Sequence, residues 1–229
     1  MFVEERLQVL AERVRPTAAS RTRLLPVAGP VAELLADGGL RRGTAVRCTA
    51  VPGPGGDGAG WAGWKGGDGA LSLALAVAAG PSAAGSWCAL VGVDDAGALA
   101  AADYGVDLGR LAVVRAAPAE WPAAVGVLVD GIDLVVVAPP APPRPSAVRA
   151  LAARVRDRGT VLVVLEGRPT WPVDVELAVV ERRWHGLAEG AGRLQARRVT
   201  VVARGRGPGA RPVRRELWLP AATGKVAAA

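Results

Sequence analysis

Residues 45–79 decide the fold, and they read AVRCTAVPGPGGDGAGWAGWKGGDGALSLALAVAA. The stretch opens with an apolar run at 45–51 that is typical of a buried β-strand. It closes with an alanine- and leucine-rich run at 68–79 that is typical of a helix. Between the two runs, glycine alternates with proline, tryptophan and charged residues. A strand, a glycine-rich loop and a helix in this order predict the first unit of an α/β domain.

The chain continues with alternating strand and helix patterns as far as residue 165. We predict further strands at 87–93, 111–115, 132–138 and 160–165, and helices at 96–103, 119–130 and 146–158. This alternation predicts a mostly parallel sheet with helices on both faces. After residue 174 the helical patterns stop, and three strand patterns follow, joined by glycine-rich turns, at 175–184, 194–204 and 213–219. They predict an antiparallel C-terminal β extension at one edge of the sheet.

The domain organisation follows from these patterns. The chain has 229 residues, 51% of them apolar, which suits one globular domain with short extensions. Apolar residues at helical spacing over 3–15 predict an amphipathic helix, so residues 1–20 are interpreted as a helix and linker. Residues 21–219 form the α/β domain, with the antiparallel extension at about 175–219, and residues 220–229 are expected to be a flexible tail.

Several classes of protein do not fit the sequence. No apolar run approaches the ~18–20 residues of a membrane-spanning helix, and the N-terminus carries acids at Glu4 and Glu5, so we expect a cytoplasmic protein. Cys48 and Cys88 each lie in a strand pattern, which favours reduced core cysteines over a disulfide or a metal site. The single histidine, His185, is interpreted as a half-exposed strand residue and not as part of a catalytic triad.

Positive charge is concentrated in the last third of the chain. The formal net charge is +7, divided as +3 over residues 1–48, −6 over 49–143 and +10 over 144–229. A basic C-terminal third is a candidate surface for nucleic acid or for an acidic protein partner. The arginines that we assign to this surface are Arg197, Arg198, Arg204, Arg206, Arg211, Arg214 and Arg215.

The glycine-rich loop lies where a phosphate-binding loop would lie, but it lacks the phosphate chemistry. A phosphate loop ends in a lysine that neutralises phosphate and a hydroxyl that holds Mg²⁺, directly before its helix. Here Gly67 is followed by Asp68 and Gly69 at those two positions, and Lys65 comes three residues too early. The site is therefore interpreted as a vestigial nucleotide site.

The acidic residue that would help to hold the metal is also missing. Such an acid normally ends a buried strand, but the strand pattern at 132–138 ends in Ala138. Asp94, after the second strand, is either a remnant of a catalytic carboxylate or a helix cap. We predict no metal, no cofactor and no triphosphate hydrolysis, hence a protein that is not an enzyme.

Two tryptophans in the loop, Trp61 and Trp64, are unusual in a glycine-rich segment. They are candidates to contact a protein partner, to pack over the vacant site, or to stack on bases.

Taken in order, these pieces resemble the RecA-type ATPase core. The residues at 38–43 (GGLRRG) are similar to the segment that leads into the RecA phosphate loop, and those at 104–108 (YGVDL) are similar to a stretch that follows the second strand. The resemblance covers roughly residues 20–219, and it implies a RecA-like, P-loop-type core. Against that pattern, Asp68 replaces the lysine, Gly69 the hydroxyl residue and Ala138 the strand-end aspartate, while Asp94 falls where the catalytic glutamate would be.

Within RecA-like proteins, the chain is similar to the actinobacterial ImuA-type family. The residues that carry this likeness are those at 87–92 (WCALVG), 105–111 (GVDLGRL), 171–172 (WP) and 217–220 (LWLP). The resemblance implies a DNA-repair role in the SOS response to DNA damage. The protein would be a nucleoid-associated, non-catalytic adaptor of a translesion-synthesis complex, or mutasome. Its implied partners are a Y-family-polymerase-like mutagenesis protein of the ImuB type and, indirectly, an error-prone polymerase and a sliding clamp; DNA is a possible partner, and a membrane is not.

Other functions stay open at this point. The basic surface could serve an independent single-stranded DNA-binding protein that needs no partner. A residual ATPase would require Lys65 to reach the phosphates and Asp94 to act on water. A division inhibitor is a further possibility, but no residue supports it.

Overall fold

The structure, a computed structural model, describes residues 23–51, 69–93, 97–165, 171–188, 191–206 and 210–229. Within these residues the protein is an α/β fold with few helices and one large mixed sheet, as the sequence patterns predict. The amphipathic helix that we predict over 3–15 lies outside the described residues.

Over residues 45–218 the described strands and α-helices follow each other in the order that the sequence predicts, whereas the strands at Leu24–Pro26, Gly39–Arg41 and Ala227–Ala228 were not predicted. The strands are β1 (Leu24–Pro26), β2 (Gly39–Arg41), β3 (Ala45–Ala50), β4 (Cys88–Val91), β5 (Leu111–Val114), β6 (Leu134–Val137), β7 (Val161–Leu165), β8 (Val175–Ala188), β9 (Ala191–Gly205), β10 (Val213–Trp218) and β11 (Ala227–Ala228). The α-helices are α1 (Ala70–Ala83), α2 (Ala98–Tyr104), α3 (Trp121–Val129) and α4 (Pro145–Arg158). Short 3-10 turns cover Gly29–Leu34 and Leu108–Arg110.

The main sheet has a parallel half and an antiparallel half. Nine strands of the described residues form it, in the order β11-β10-β9-β8-β3-β7-β6-β4-β5. The strands from β8 to β5 in that order pair in parallel, whereas β8, β9, β10 and β11 pair antiparallel. Strand β8 belongs to both halves because one of its edges pairs with β3 and the other with β9. The antiparallel extension is therefore built directly onto the parallel core.

Two hydrophobic cores cover the two faces of the parallel half. Alternate residues of β6 point to opposite faces: Leu134 and Val136 belong to the first core, and Val135 and Val137 to the second. Helices α1 and α2 and the 3-10 turn Gly29–Leu34 cover the first core. Helices α3 and α4 cover the second, in which Trp121 meets Trp171 edge to face at a centroid distance of 6.5 Å. Burial on both faces explains why these strands are almost entirely apolar.

Helix α1 is buried around most of its circumference. It packs on the sheet on one side, and the chain segment after β1 crosses its other side. A side chain at Gly80 would lie 2.6 Å from the Pro26 carbonyl oxygen, so only glycine permits this crossing. The small residues of α1 thus let two layers pack against it, which accounts for its lack of a polar face.

The two cysteines lie in the first core, as the sequence analysis predicts. Cys48 and Cys88 are fully buried and free. Burial raises the pKa of both thiols to about 12, so they are protonated at neutral pH.

The C-terminal residues are more ordered than the flexible tail that we predict for 220–229. Strand β11 pairs with β10 through Leu217↔Ala228 and Trp218↔Ala227. Residue Leu219 is fully buried, and the side chain of Val226 packs against the first core. These contacts hold the end of the chain against the domain.

In the part of the chain that the structure describes, no helix combines the length and the apolar character that crossing a lipid bilayer requires.

An ion-pair cluster joins the two helices of the second core and makes the stability of the protein sensitive to acid. The carboxylate of Asp130, which follows α3, accepts hydrogen bonds from Arg154 (Nε, 2.7 Å) and Arg158 (Nε, 3.1 Å) of α4. The hydrogen bond from Arg154 is the main reason that the pKa of Asp130 lies below its ordinary value of 3.8.

We predict that Asp130→Asn lowers the free energy of unfolding by about 1 kcal/mol at neutral pH. Because the folded pKa is lowered, the contribution of the carboxylate is complete above pH 3.8 and is lost as the pH falls from there through the folded pKa. Denaturant unfolding of Asp130→Asn and of the unsubstituted protein at a series of pH values measures this effect. The difference between their free energies of unfolding should become smaller at acidic pH. Asp157→Asn, at an exposed position of α4 without a described ion pair, is the control; an equal effect of both variants would contradict the prediction.

Candidate functional site

The carboxyl ends of the parallel strands form one edge of the sheet, and open α/β sheets bind ligands at this edge. Strands β3, β4, β6 and β7 all end there because they run in parallel. Strand β3 ends at this edge and α1 begins there, and residues 52–68 between them lie outside the described residues. The strand and the helix that the sequence predicts on either side of the glycine-rich loop are therefore present.

Helix α1 begins at Gly69, one of the residues that we assign to the vestigial nucleotide site. Gly69 has a φ of +106°, which favours glycine, and its carbonyl accepts the first helical hydrogen bond, from Leu73 N (2.9 Å). A Cβ atom at this position would lie 3.6 Å from the Nη2 atom of Arg197 and 3.5 Å from a methyl group of Val179. A guanidinium group thus lies beside the helix N-terminus.

Our prediction that Arg197 lies on an exposed surface is wrong. We assign it to an exposed partner or DNA surface, but it is only 2% exposed and is buried on the α1 side of the sheet. Its Nε donates to the Leu219 carbonyl (2.7 Å) and its Nη2 donates to Ser72 Oγ (2.8 Å). Its guanidinium carbon also lies 5.0 Å from the ring centroid of Trp184. Arg197 therefore joins α1, β8 and the segment after β10 and is not available to a partner.

The alternation of side chains along β9 explains this burial. In a strand every second residue points to the same face. Val199, Val201 and Ala203 belong to the first core, and Arg197 continues their row toward the carboxyl edge. The sequence contains this signal, since Arg197 shares the odd-numbered positions of those three residues.

Tyr104 completes the surroundings of the helix N-terminus. It ends α2, and its hydroxyl is buried without a hydrogen bond in the described structure. Burial raises the pKa of Tyr104, while the nearby Ser72 and Arg197 act in the opposite direction. At neutral pH the phenol is therefore neutral.

The other residues of the predicted nucleotide site are only partly described. Ala138 follows β6 directly, is 5% exposed, and donates its backbone N–H to the Val91 carbonyl (2.9 Å). It provides no side-chain ligand. Gly67, Asp68, Asp94, Trp61 and Trp64 lie outside the described residues. Within the described ranges, His, Cys, Asp and Glu side chains form no group of three that could hold a metal ion.

Most of the remaining predicted surface arginines form ion pairs. The pairs are Arg198 with Glu216, Arg204 with Glu176 (3.2 Å), Arg206 with Asp174 (3.9 Å), Arg214 with Glu181 (2.9 Å) and Arg215 with Glu33 (3.1 Å). Arg211 is exposed and has no carboxylate partner among the described residues. The positive charge of this region is thus largely balanced by carboxylates that come from other parts of the sequence.

Except for the pair of Arg215 with Glu33, which lies on the first-core side of the sheet, these ion pairs line the face of the extension that no described helix covers. Glu176 of β8 is the centre of one cluster, since its two oxygens accept from Arg204 and from Arg47 of β3 (2.5 Å). Glu181 accepts from both Arg214 (2.9 Å) and Thr200 (2.9 Å). The uncovered face is therefore polar and ordered without being strongly basic.

The sequence analysis missed the unbalanced arginines, which lie on a protruding arm. We define the β8–β9 arm as residues 182–198, where β8 has passed its last pairing with β3 at Val179. Arg183 and Arg193 of this arm are exposed and have no carboxylate partner in the described structure. Trp184, the last residue of the strand predicted at 175–184, is 40% exposed. A long hairpin with few acids between residues 182 and 198 is the signal that could have identified it.

Comparison with known proteins matches the parallel half of this structure. The family model described as the MT3502 N-terminal domain matches residues 33–173, which is more than half of the chain. The chain belongs to the MT3502 N-terminal domain family. The matched part ends two residues before β8, so the antiparallel extension follows the family domain.

A relative of this family member is found in Mycobacterium tuberculosis. The uncharacterized protein Rv3395c of that organism is 37% identical over 147 residues, which cover 60% of this chain and 71% of the relative. The name of this relative states no activity, substrate or partner.

We predict that Arg197→Met lowers the free energy of unfolding by about 2–3 kcal/mol, because the buried Leu219 carbonyl and Ser72 hydroxyl lose a charged donor. The exposed Arg211→Met should change it by less than about 0.5 kcal/mol. Denaturant unfolding monitored by tryptophan fluorescence measures both. Equal stability of the Arg197 variant and the unsubstituted protein would contradict the structural role of this guanidinium.

Proposed function

We propose that the protein is a RecA-like adaptor without nucleotide hydrolysis, and that it serves an SOS-induced translesion-synthesis complex. The RecA-like part of this proposal is supported by the order of the sequence motifs and by the strand-loop-helix unit at the carboxyl edge of a parallel sheet. The loss of hydrolysis is supported by the residues at that edge. The adaptor role in lesion bypass is supported by the sequence resemblance to ImuA-type proteins.

One observation carries the non-catalytic part of the proposal: the Arg197 guanidinium lies beside residue 69. In a phosphate-loop protein, the hydroxyl at this position holds Mg²⁺. Here residue 69 is glycine, and a Cβ at this position would be 3.6 Å from Arg197 Nη2. A divalent cation bound there would lie next to a buried positive charge, with a large electrostatic cost. The nearest serine hydroxyl of α1, that of Ser72, already accepts from Arg197.

A second observation points the same way. The strand that would end in a metal-binding acid, β6, is followed by Ala138, Pro139 and Pro140. The carbonyl oxygen of Ala138 lies 2.6 Å from the position of a Cβ at Gly92, so the chain after β4 packs tightly against this strand end. The methyl side chain of Ala138 cannot bind a metal ion, and the tight packing at this strand end leaves little space for one.

We predict that the protein hydrolyses no ATP and binds Mg²⁺-ATP more weakly than millimolar. Isothermal titration and a phosphate-release assay with the full chain measure the two quantities. Arg197→Ser, which removes the guanidinium, serves as a comparison for the electrostatic argument. Binding at micromolar ATP, or turnover by the full chain, would contradict the proposal and favour the residual ATPase.

The test of the adaptor role is co-purification with the Y-family-polymerase-like protein encoded in the same genome. We expect a complex that forms without nucleotide and does not change when Mg²⁺-ATP is added. If the partner docks on the uncovered face of the extension, Arg204→Glu combined with Arg214→Glu should reduce retention at least tenfold. Arg149→Glu with Arg156→Glu, at exposed positions of α4, makes the same charge change and should retain the partner. Absence of any complex with the full chain would overturn the adaptor function.

A further inference from the structure

Four side chains at the base of the β8–β9 arm lie together on the uncovered face of the extension. Val199 of β9 and Leu217 of β10 belong to the first core. Because alternate residues of a strand point to opposite faces, the residue next to each of them on the side of the arm points to the uncovered face. Two residues of β8 that pair with this face of β9 complete the set. We call these four residues the Trp218 patch: Arg183, His185, Arg198 and Trp218.

The indole of Trp218 is held in place by its neighbours. Its ring centroid lies 4.9 Å from that of His185, and the two rings meet edge to face at 68°. His185 pairs with Ala196 of β9, whose small side chain leaves room for this contact across the strand. Trp218 remains partly exposed. An aromatic ring that is already held loses little conformational freedom when a partner covers it.

Two arginines of the patch place positive charges side by side. Arg183 of β8 pairs directly with Arg198 of β9, and like charges in opposed positions destabilise a sheet. Glu216 of β10 binds Arg198, whereas Arg183 is exposed and has no carboxylate partner among the described residues. A carboxylate from another molecule that accepts hydrogen bonds from Arg183 would relieve this repulsion.

The charges around the patch suit a single acidic group better than a chain of phosphates. The carboxylates of Glu176, Glu181 and Glu216 lie on the same uncovered face, where each binds an arginine. A phosphate backbone that crossed this face would meet these carboxylates as well as the arginines, with electrostatic repulsion. An acidic side chain of a protein needs only the one cation that is unpaired.

The chemistry of the patch is that of a protein interface. Tryptophan and arginine are the residues that most often dominate the binding energy between proteins. An acidic residue on Arg183 and an apolar residue on the indole would use both properties of the patch, its positive charge and its held aromatic surface.

We propose that the Trp218 patch docks an acidic segment of the partner protein, with a carboxylate on Arg183 and an apolar side chain on Trp218. This inference rests on the adaptor function proposed above, for which it narrows the uncovered face to four residues. All four lie beyond residues 33–173, which the family model matches. The docking site therefore belongs to the extension and not to the family domain.

The test measures binding of the Y-family-polymerase-like protein to the immobilised full chain. Arg183→Glu should raise Kd at least about tenfold, because the new carboxylate repels the acidic segment. Trp218→Leu should also raise Kd about tenfold, as loss of a central aromatic anchor does in other interfaces.

Each variant has a matched control. Arg149→Glu makes the same charge change at an exposed position of helix α4. Trp184→Leu removes an indole that is 40% exposed and lies on the opposite face of the same strand, beside Arg197. Both controls should change Kd less than about threefold, since surface positions outside the contact contribute little to binding.

Arg183→Glu is expected to fold, so a loss of binding would report on the contact itself. The introduced carboxylate would face Arg198, and an attractive cross-strand pair would replace a repulsive one. Thermal unfolding of this variant should therefore occur at the same temperature as that of the unsubstituted protein, or higher.

Two results would overturn this inference alone and leave the adaptor function intact. One is a complex with the partner whose Kd is unchanged by Arg183→Glu. The other is displacement of the partner by a 25-mer of deoxythymidine from the full chain, which would make nucleic acid the occupant of the patch. Absence of any complex with the full chain would overturn the inference together with the adaptor function.

Discussion

Burial of β6 on both faces is the constraint on which the rest of the structure depends. Leu134 and Val136 need one apolar layer, and Val135 and Val137 need another, so the chain must supply helices on both sides of the sheet. Parallel strands joined by helices then bring all their carboxyl ends to one edge, and the α1 N-terminus lies at that edge as a consequence. The position of the candidate site thus follows from packing, before any of its side chains is considered.

The extension meets a different constraint, because the described helices leave one of its faces uncovered. Its core face continues the apolar rows of the sheet, whereas its open face consists of arginine-carboxylate pairs centred on Glu176 and Glu181. Exposed pairs of this kind contribute little to stability one by one, but they satisfy a polar face without an exposed apolar patch. On the arm, in contrast, Arg183 and Arg193 are exposed without a carboxylate partner among the described residues.

The alternation of strands and helices was predictable from the sequence because apolar periodicity reports burial directly. The boundaries of β3, β6 and β7 differ from the predicted ones by no more than two residues at either end. The ion-pair partners of the arginines were less predictable. Arg204 binds Glu176 only because β8 pairs with β9, and Arg215 binds Glu33, which is far away in the sequence. Burial of Arg197 could have been predicted from its row with Val199 and Val201. The sequence total of +10 for the last third could not show which charges remain unbalanced.

The position of β3 between β7 and β8 also sets the order in which the sheet can assemble during synthesis. Arg47 of β3 can form its ion pair only after Glu176, 129 residues later, has been synthesised. Strand β3 therefore leaves the ribosome long before its two neighbours in the sheet, β7 and β8, are made. Contacts this distant in sequence form slowly, and an unpaired apolar strand is prone to associate with other chains in the meantime. A nascent chain released at residue 173, where the family match ends, would leave one edge of β3 permanently open. The extension therefore completes the sheet of the family domain, because it supplies the strand that pairs with the second edge of β3.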